Sequence, residues 1–129
     1  MKLVAAIAVA LAVAGIASAK EFPPGELMVC GATQCRVLTV AQSRAFSALL
    51  WGDRPVSRVP TPRVGAPIFQ LRVKSGPAGV IISATAIRVH GLNCGRFRRG
   101  NWYRLPASLR GLSAGLEPKH LRASIPRSC

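Results

Sequence analysis

Hydrophobic and polar positions divide this chain into segments of different period. Leu3 to Ile16 is an unbroken run of small and apolar residues with no period at all. From Glu26 the pattern changes to two short β-type runs, Glu26–Val29 and Arg36–Thr39, joined through Cys30-Gly-Ala-Thr-Gln-Cys35. A four-residue loop between such runs predicts a hairpin over about 26–38. Thr39-Val-Ala-Gln42 has the form of a capping box, in which the Thr hydroxyl and the Gln side chain each satisfy a free backbone amide. A helix over about 40–51 follows, with Val40, Ala41, Phe46, Leu49 and Leu50 as its apolar side, Gln42, Ser43 and Arg44 toward water, and Gly52 at its end.

The clearest strand comes next. Phe69, Leu71 and Val73 alternate with Gln70, Arg72 and Lys74, the mark of a sheet with one buried face. Ser75 to Gly79 reads as a turn, and Val80 to Val89 as one long returning strand. Its apolar residues occupy both alternating sets, which predicts a central strand paired antiparallel with the one before it. Asn101 to Leu105 is a further short strand. Pro106 suits the first position of a helix over about 106–114, buried through Leu109 and Leu112, weakened by Gly111 and stopped at Gly115. Three stretches lack periodicity. Residues 20–25, with their proline pair, form an opening arm. Asp53–Pro67 holds Pro55, Pro60, Pro62 and Pro67 and reads as an extended crossover loop, with a Pro-rich docking segment as the functional alternative. Residues 119–129 form a basic tail. The fold expected is α+β: an antiparallel sheet of four or five strands with two short helices packed on one face and two disulfides.

The first segment changes how the others are read. Met1-Lys2, the apolar run and Ala17-Ser18-Ala19 have the order of a secretory signal peptide, with a cut after Ala19. The run is shorter than the ~20 residues of a membrane span, and an uncleaved anchor is the alternative. Lys20 follows the cut, so the cysteine required for lipid attachment is absent there. Residues 20–129 are then one domain by length, secreted or extracytoplasmic. All four cysteines, Cys30, Cys35, Cys94 and Cys129, lie beyond the cut, and an even count in a short exported chain predicts two disulfides. The hairpin places Cys30 opposite Cys35, which leaves Cys94 with Cys129; a Cys30–Cys94 pair is the alternative. Four residues between Cys30 and Cys35 do not match the two of a redox pair, and His90 and His120 do not stand at zinc-finger spacing.

The full chain has 18 Lys plus Arg against 4 Asp plus Glu, a formal net charge of +14. Such a surface attracts polyanions, so anionic envelope polymers or lipid head groups are the partners to expect, and nothing calls for a dedicated nucleic-acid role. An Arg-rich, Lys-poor composition also follows from a GC-rich genome without any partner. The densest basic cluster is Arg96-Phe-Arg98-Arg99, followed by Trp102-Tyr-Arg104. Arginines among aromatics combine anion contacts with a stacking surface, so Arg88, Arg96, Arg98, Arg99 and Arg104 are the anion-binding candidates. The opposing reading makes Phe97 and Trp102 core anchors and the arginines a solvated loop. Catalytic chemistry has little to work with. Glu21, Glu26, Asp53 and Glu117 are scattered, His90 and His120 lack a nucleophile motif, and no ligand set for a metal or cofactor stands out. The expectation is therefore no enzyme, no catalytic residue, no metal and no cofactor.

Val29-Cys-Gly-Ala-Thr-Gln-Cys-Arg-Val37, the strand pair near 68–89, Trp102-Tyr-Arg-Leu-Pro106 and Gly115-Leu-Glu-Pro118 resemble a group of small exported proteins of uncharacterised function from high-GC Gram-positive bacteria. The resemblance implies a Cys-Gly…Cys hairpin, a two-stranded middle and a Trp…Pro helix ending in Gly-Leu-Glu-Pro, and it implies no activity. Lys119 departs from the aromatic expected after that motif, and Cys94 and Cys129 are additions to it. The expected role is thus non-enzymatic, structural or binding, at the cell envelope or outside it. A polyanion or anionic-membrane binder using the Arg96–Arg104 patch is the alternative, and an exported protease inhibitor ranks below both.

Overall fold

The structure is a computed structural model that describes residues 22–23, 25–90, 97 and 100–123. The hairpin forms as expected. β1 (Met28–Cys30) and β2 (Cys35–Val37) pair antiparallel with Cys30 opposite Cys35, and these two cysteines are disulfide-bonded. That bond excludes the Cys30–Cys94 alternative. Cys94 and Cys129, and with them the second expected bridge, lie outside the described residues, as does the proposed leader.

α1 (Val40–Trp51) starts where the capping box places it. Gln42 N–H donates to Thr39 Oγ1 at 3.1 Å, and Thr39 N–H donates to Gln42 Oε1 at 2.9 Å. Gly52 N–H closes the other end on Ala48 O at 2.8 Å. The buried side is rotated from the expected one. Ser43, Phe46, Ser47, Leu49 and Leu50 face inward, while Val40 is 49% exposed. The spacing 43, 46, 47, 50 is the true helical stripe; Ser47 fits it because its hydroxyl is bonded locally, whereas the Ser43 hydroxyl is buried without a hydrogen-bond partner among the described residues. Ser47 Oγ donates to Ser43 O at 3.1 Å and accepts from Phe22 N–H at 3.2 Å. Phe22 also lies against Trp51, ring centroids 5.1 Å apart, so this part of the opening arm is anchored on the helix.

The sheet is larger than expected, with eight strands among the described residues rather than four or five. After α1 come β3 (Arg58–Val59), β4 (Pro67–Val73), β5 (Gly76–Ile82), β6 (Ala86–Val89), β7 (Trp102–Arg104) and β8 (Lys119–His120). The order is β2-β1-β4-β5-β6-β7-β3, with β8 on the Pro67 end of β4, and every pairing is antiparallel. Three expectations are corrected. The run Val80–Val89 is two strands: Ser83 Oγ accepts from Thr85 N–H and Ala86 N–H at 3.3 and 3.0 Å, and the chain reverses there. A hydroxyl that bonds the backbone two and three residues on is a turn device, and it overrides the β-type composition around it. The reversal pairs Val80 with Val89 and Ile82 with Ile87, so these four share one face. The 106–114 helix is instead a single 3-10 turn, Ala107–Leu109, because Gly111 takes φ +79°, a left-handed conformation that ends a right-handed helix. One α-helix, not two, therefore accompanies the sheet among the described residues. Finally, the crossover loop of 53–67 contributes β3 at the edge, and the start of the basic tail contributes β8, followed at once by the buried Leu121.

The sheet buries both faces. On one, Val29, Leu71, Val80, Ile87, Val89 and Tyr103 belong to the main core with Phe46, Leu49 and Leu50 of α1. On the other, Trp102, Ala86 and Leu121 form a second core, flanked by Val59, Ala66, Ile68 and Ile81. The proline-rich segment and the strand β8 region cover that side, with Gly65 N–H bonded to Leu121 O and Leu121 N–H to Ala66 O.

Candidate functional site

The aromatic residues of the expected patch do not form an open stacking surface. Phe97, Trp102 and Tyr103 are all buried, with Phe97 and Tyr103 edge-to-face, ring centroids 5.2 Å apart and planes at 90°. These rings are core anchors, as the opposing reading has it. Arg88 is 3% exposed on β6, in the wall of a cavity of about 180 Å³ shared with Trp102 and Leu121, so it adds no open cationic surface. Arg104 is exposed. Arg96, Arg98 and Arg99 lie outside the described residues.

What the fold does bring together is a different arginine set around Arg104. β7 presents Arg104 opposite Ala86 of β6, and the Arg104 N–H donates to Ser57 O at 2.7 Å. Because β7 is held on both sides, by β6 and by the segment entering β3, the position of this residue is well defined. Two clefts share it. The first, about 600 Å³, runs between the proline-rich segment and the β5–β6 turn, with Pro60, Pro62, Pro67 and Phe69 in its wall and Arg104 and Arg110 as its charged residues. The second, about 570 Å³, lies between α1 and the chain that follows it, with Ala45, Leu49, Pro55 and Val56 in its wall and Arg54 beside Arg104. Arg110 is fixed at its base, since its Nε–H donates to Leu105 O at 3.2 Å.

No family model, curated protein or solved structure matches this chain. The reading of the site therefore rests on its geometry.

Arg54, Arg104 and Arg110 are separated by more than a turn of any regular element, so spacing alone gives no sign that they meet. Arg54 sits at the start of a segment whose prolines signal a path over the surface, and Arg110 follows a turn that resembles a helix in sequence. Only the antiparallel partnership of β3 with β7 brings the first two to one place. None of the described acids lines either cleft, although Asp53 is the chain neighbour of Arg54; Glu26 precedes β1, and Glu117 is exposed next to the hairpin loop. His120 is exposed on β8, and His90 follows β6, half-buried. Burial and the positive charge of Arg88 hold His90 below its ordinary pKa, so its neutral form is favoured. Among the described residues no group of three or more His, Cys, Asp or Glu side chains is arranged to hold a metal ion, and no helix is long and apolar enough to cross a membrane.

Proposed function

We propose that this chain is an exported, disulfide-stabilised basic protein with a non-enzymatic binding role at the cell envelope or outside it, and that its ligands there are anionic envelope polymers. The observation that carries the reading is the convergence of Arg54, Arg104 and Arg110 around two adjoining clefts whose linings include no carboxylate. Four acids cannot neutralise eighteen basic side chains, so most of the positive charge remains available to a partner. Guanidinium groups suit this task, because each offers a planar fork to carboxylate or phosphate oxygens and stays charged at any physiological pH. The Cys30–Cys35 bond fits an oxidising compartment. The leader-like first residues and the likeness to small exported proteins of high-GC Gram-positive bacteria support the same location.

The test is salt-dependent binding of the exported chain to isolated cell wall or to a soluble teichoic-type polymer. Replacing Arg54, Arg104 and Arg110 together by Gln should weaken binding and flatten its dependence on salt. For every phosphate the variant no longer neutralises, the slope of log K against log salt should shrink by about 0.7–0.9, taking nucleic acids as the guide to a polyphosphate. A slope unchanged in the triple variant would refute the site. Binding that ignores salt in the wild-type chain would refute the proposal as a whole.

A further inference from the structure

The two clefts at Arg104 differ in character, and the first asks for more than a polymer. Its wall is built of prolines and alanines on one side, with Phe69 of the main core at its edge, and of the Ser83–Ala86 turn on the other, and its charged lining residues are Arg104 and Arg110. At about 600 Å³ it falls within the size range of small-molecule sites, which are largely apolar with a few polar groups fixing orientation. A polyphosphate or polyol-phosphate chain gains nothing from a proline-and-alanine wall. A ligand matched to both features has a linear apolar body and one anionic head.

We propose that this cleft binds a single-chain anionic amphiphile, of the class of a medium-length fatty acid, with its carboxylate between Arg104 and Arg110 and its alkyl chain along Pro60, Pro62 and Pro67. The walls are pre-formed. Pro67 opens strand β4, the Ser83 side chain locks the turn opposite, and Arg110 is held through its Nε, so little ordering is needed on binding. Two guanidiniums around one carboxylate provide charge-assisted hydrogen bonds, which are stronger than neutral ones. The alkyl chain removes apolar wall from solvent, a gain proportional to the area covered. The proposal rests on the same Arg104 region as the polymer reading, but it makes a separate demand: apolar wall and charge must act together.

Calorimetric titration of the exported, disulfide-bonded chain with decanoate, kept below its micelle concentration, tests this. Saturable one-to-one binding is expected. Acetate, which keeps the head, and decanol, which keeps the chain, should each bind at least tenfold more weakly. Two variants attack the site from different sides. Arg104→Gln with Arg110→Gln removes the charges and should weaken decanoate binding at least tenfold. Ala84→Trp fills the cleft from an exposed turn position without altering charge, and should abolish decanoate binding. Decanol binding as tightly as decanoate, a short peptide with a free C-terminal carboxylate binding more tightly still, or decanoate unaffected by either variant would each overturn the proposal. If decanoate fails while polymer binding persists, the amphiphile site alone is wrong; if both fail, the envelope-binding reading falls with it.

Discussion

Gly31→Ala isolates one contact, that of the first hairpin loop with the backbone of Glu117. Gly31 is buried in the loop of the first hairpin, directly against the backbone of Glu117. A Cβ built there would overlap the Glu117 carbonyl oxygen, an atom that no side-chain rotation can move aside. The neighbouring Ala32 N–H donates to that same oxygen at 2.8 Å, and Gly31 N–H donates to Gln34 O at 2.8 Å, so the loop cannot retreat without losing a hydrogen bond. The residue does not have a positive φ, so alanine is acceptable to the backbone itself and the penalty comes from the contact. Overpacking costs about 1–3 kcal/mol. Loss of one hydrogen bond adds about 0.5–1.5 kcal/mol. The stiffer unfolded chain returns about 0.4–1 kcal/mol. The expected net destabilisation is therefore about 2 kcal/mol. Urea unfolding of the oxidised chain should show the midpoint falling with an unchanged slope. The Ala32 amide should also exchange with solvent faster than in the parent. Stability within about 0.5 kcal/mol of the parent, with the Ala32 amide equally protected, would refute the claim that hairpin loop and Glu117 are docked backbone to backbone.

Two further outcomes follow from local chemistry. Thr39→Ala removes the hydroxyl that accepts from Gln42 N–H and should cost about 1 kcal/mol in urea unfolding, with Thr39→Ser recovering most of it. His90 is held below its ordinary pKa in the folded chain, so the unfolded chain binds the proton more readily. Stability should then be highest while His90 is neutral in both states and should decline as pH falls through about 6.5, the unfolded value, until the folded residue is also protonated. His90→Gln should flatten a plot of unfolding free energy between about pH 7.5 and the onset of carboxylate titration; a parallel decline in the variant would assign the pH dependence to other groups.

The elements legible in the sequence are those specified by neighbours along the chain. Thr39 and Gln42 announce α1 because their hydrogen bonds lie within one turn. Cys30 and Cys35 announce the hairpin because its loop is short. Phe69 and Leu71 announce β4 because the buried face is a property of the strand itself. What was hidden depends on distant partners. Arg58–Val59 and Lys119–His120 are too short, and too close to prolines, to declare themselves; each is a strand only because β7 or β4 offers a ladder to join. The Ser83 turn was masked by β-branched residues on both sides of it, and Gly111 proved stronger than the pattern of leucines around it. The candidate site follows the same rule. Arg104 stood out beside a basic cluster, whereas Arg54 and Arg110 acquire meaning from topology, and Arg88, equally cationic on paper, is enclosed in the second core.

The sheet path ends at one side in three residues with Arg36 at their centre, and at the other in two residues followed at once by Pro60. Neither margin offers a second molecule a run of free amides and carbonyls long enough to extend the ladder, and one bears charge while the next residue after the other lacks an amide hydrogen. On an anionic matrix the proposed binding would raise the local concentration of the protein, and these blunted borders would then disfavour fibre-like self-pairing.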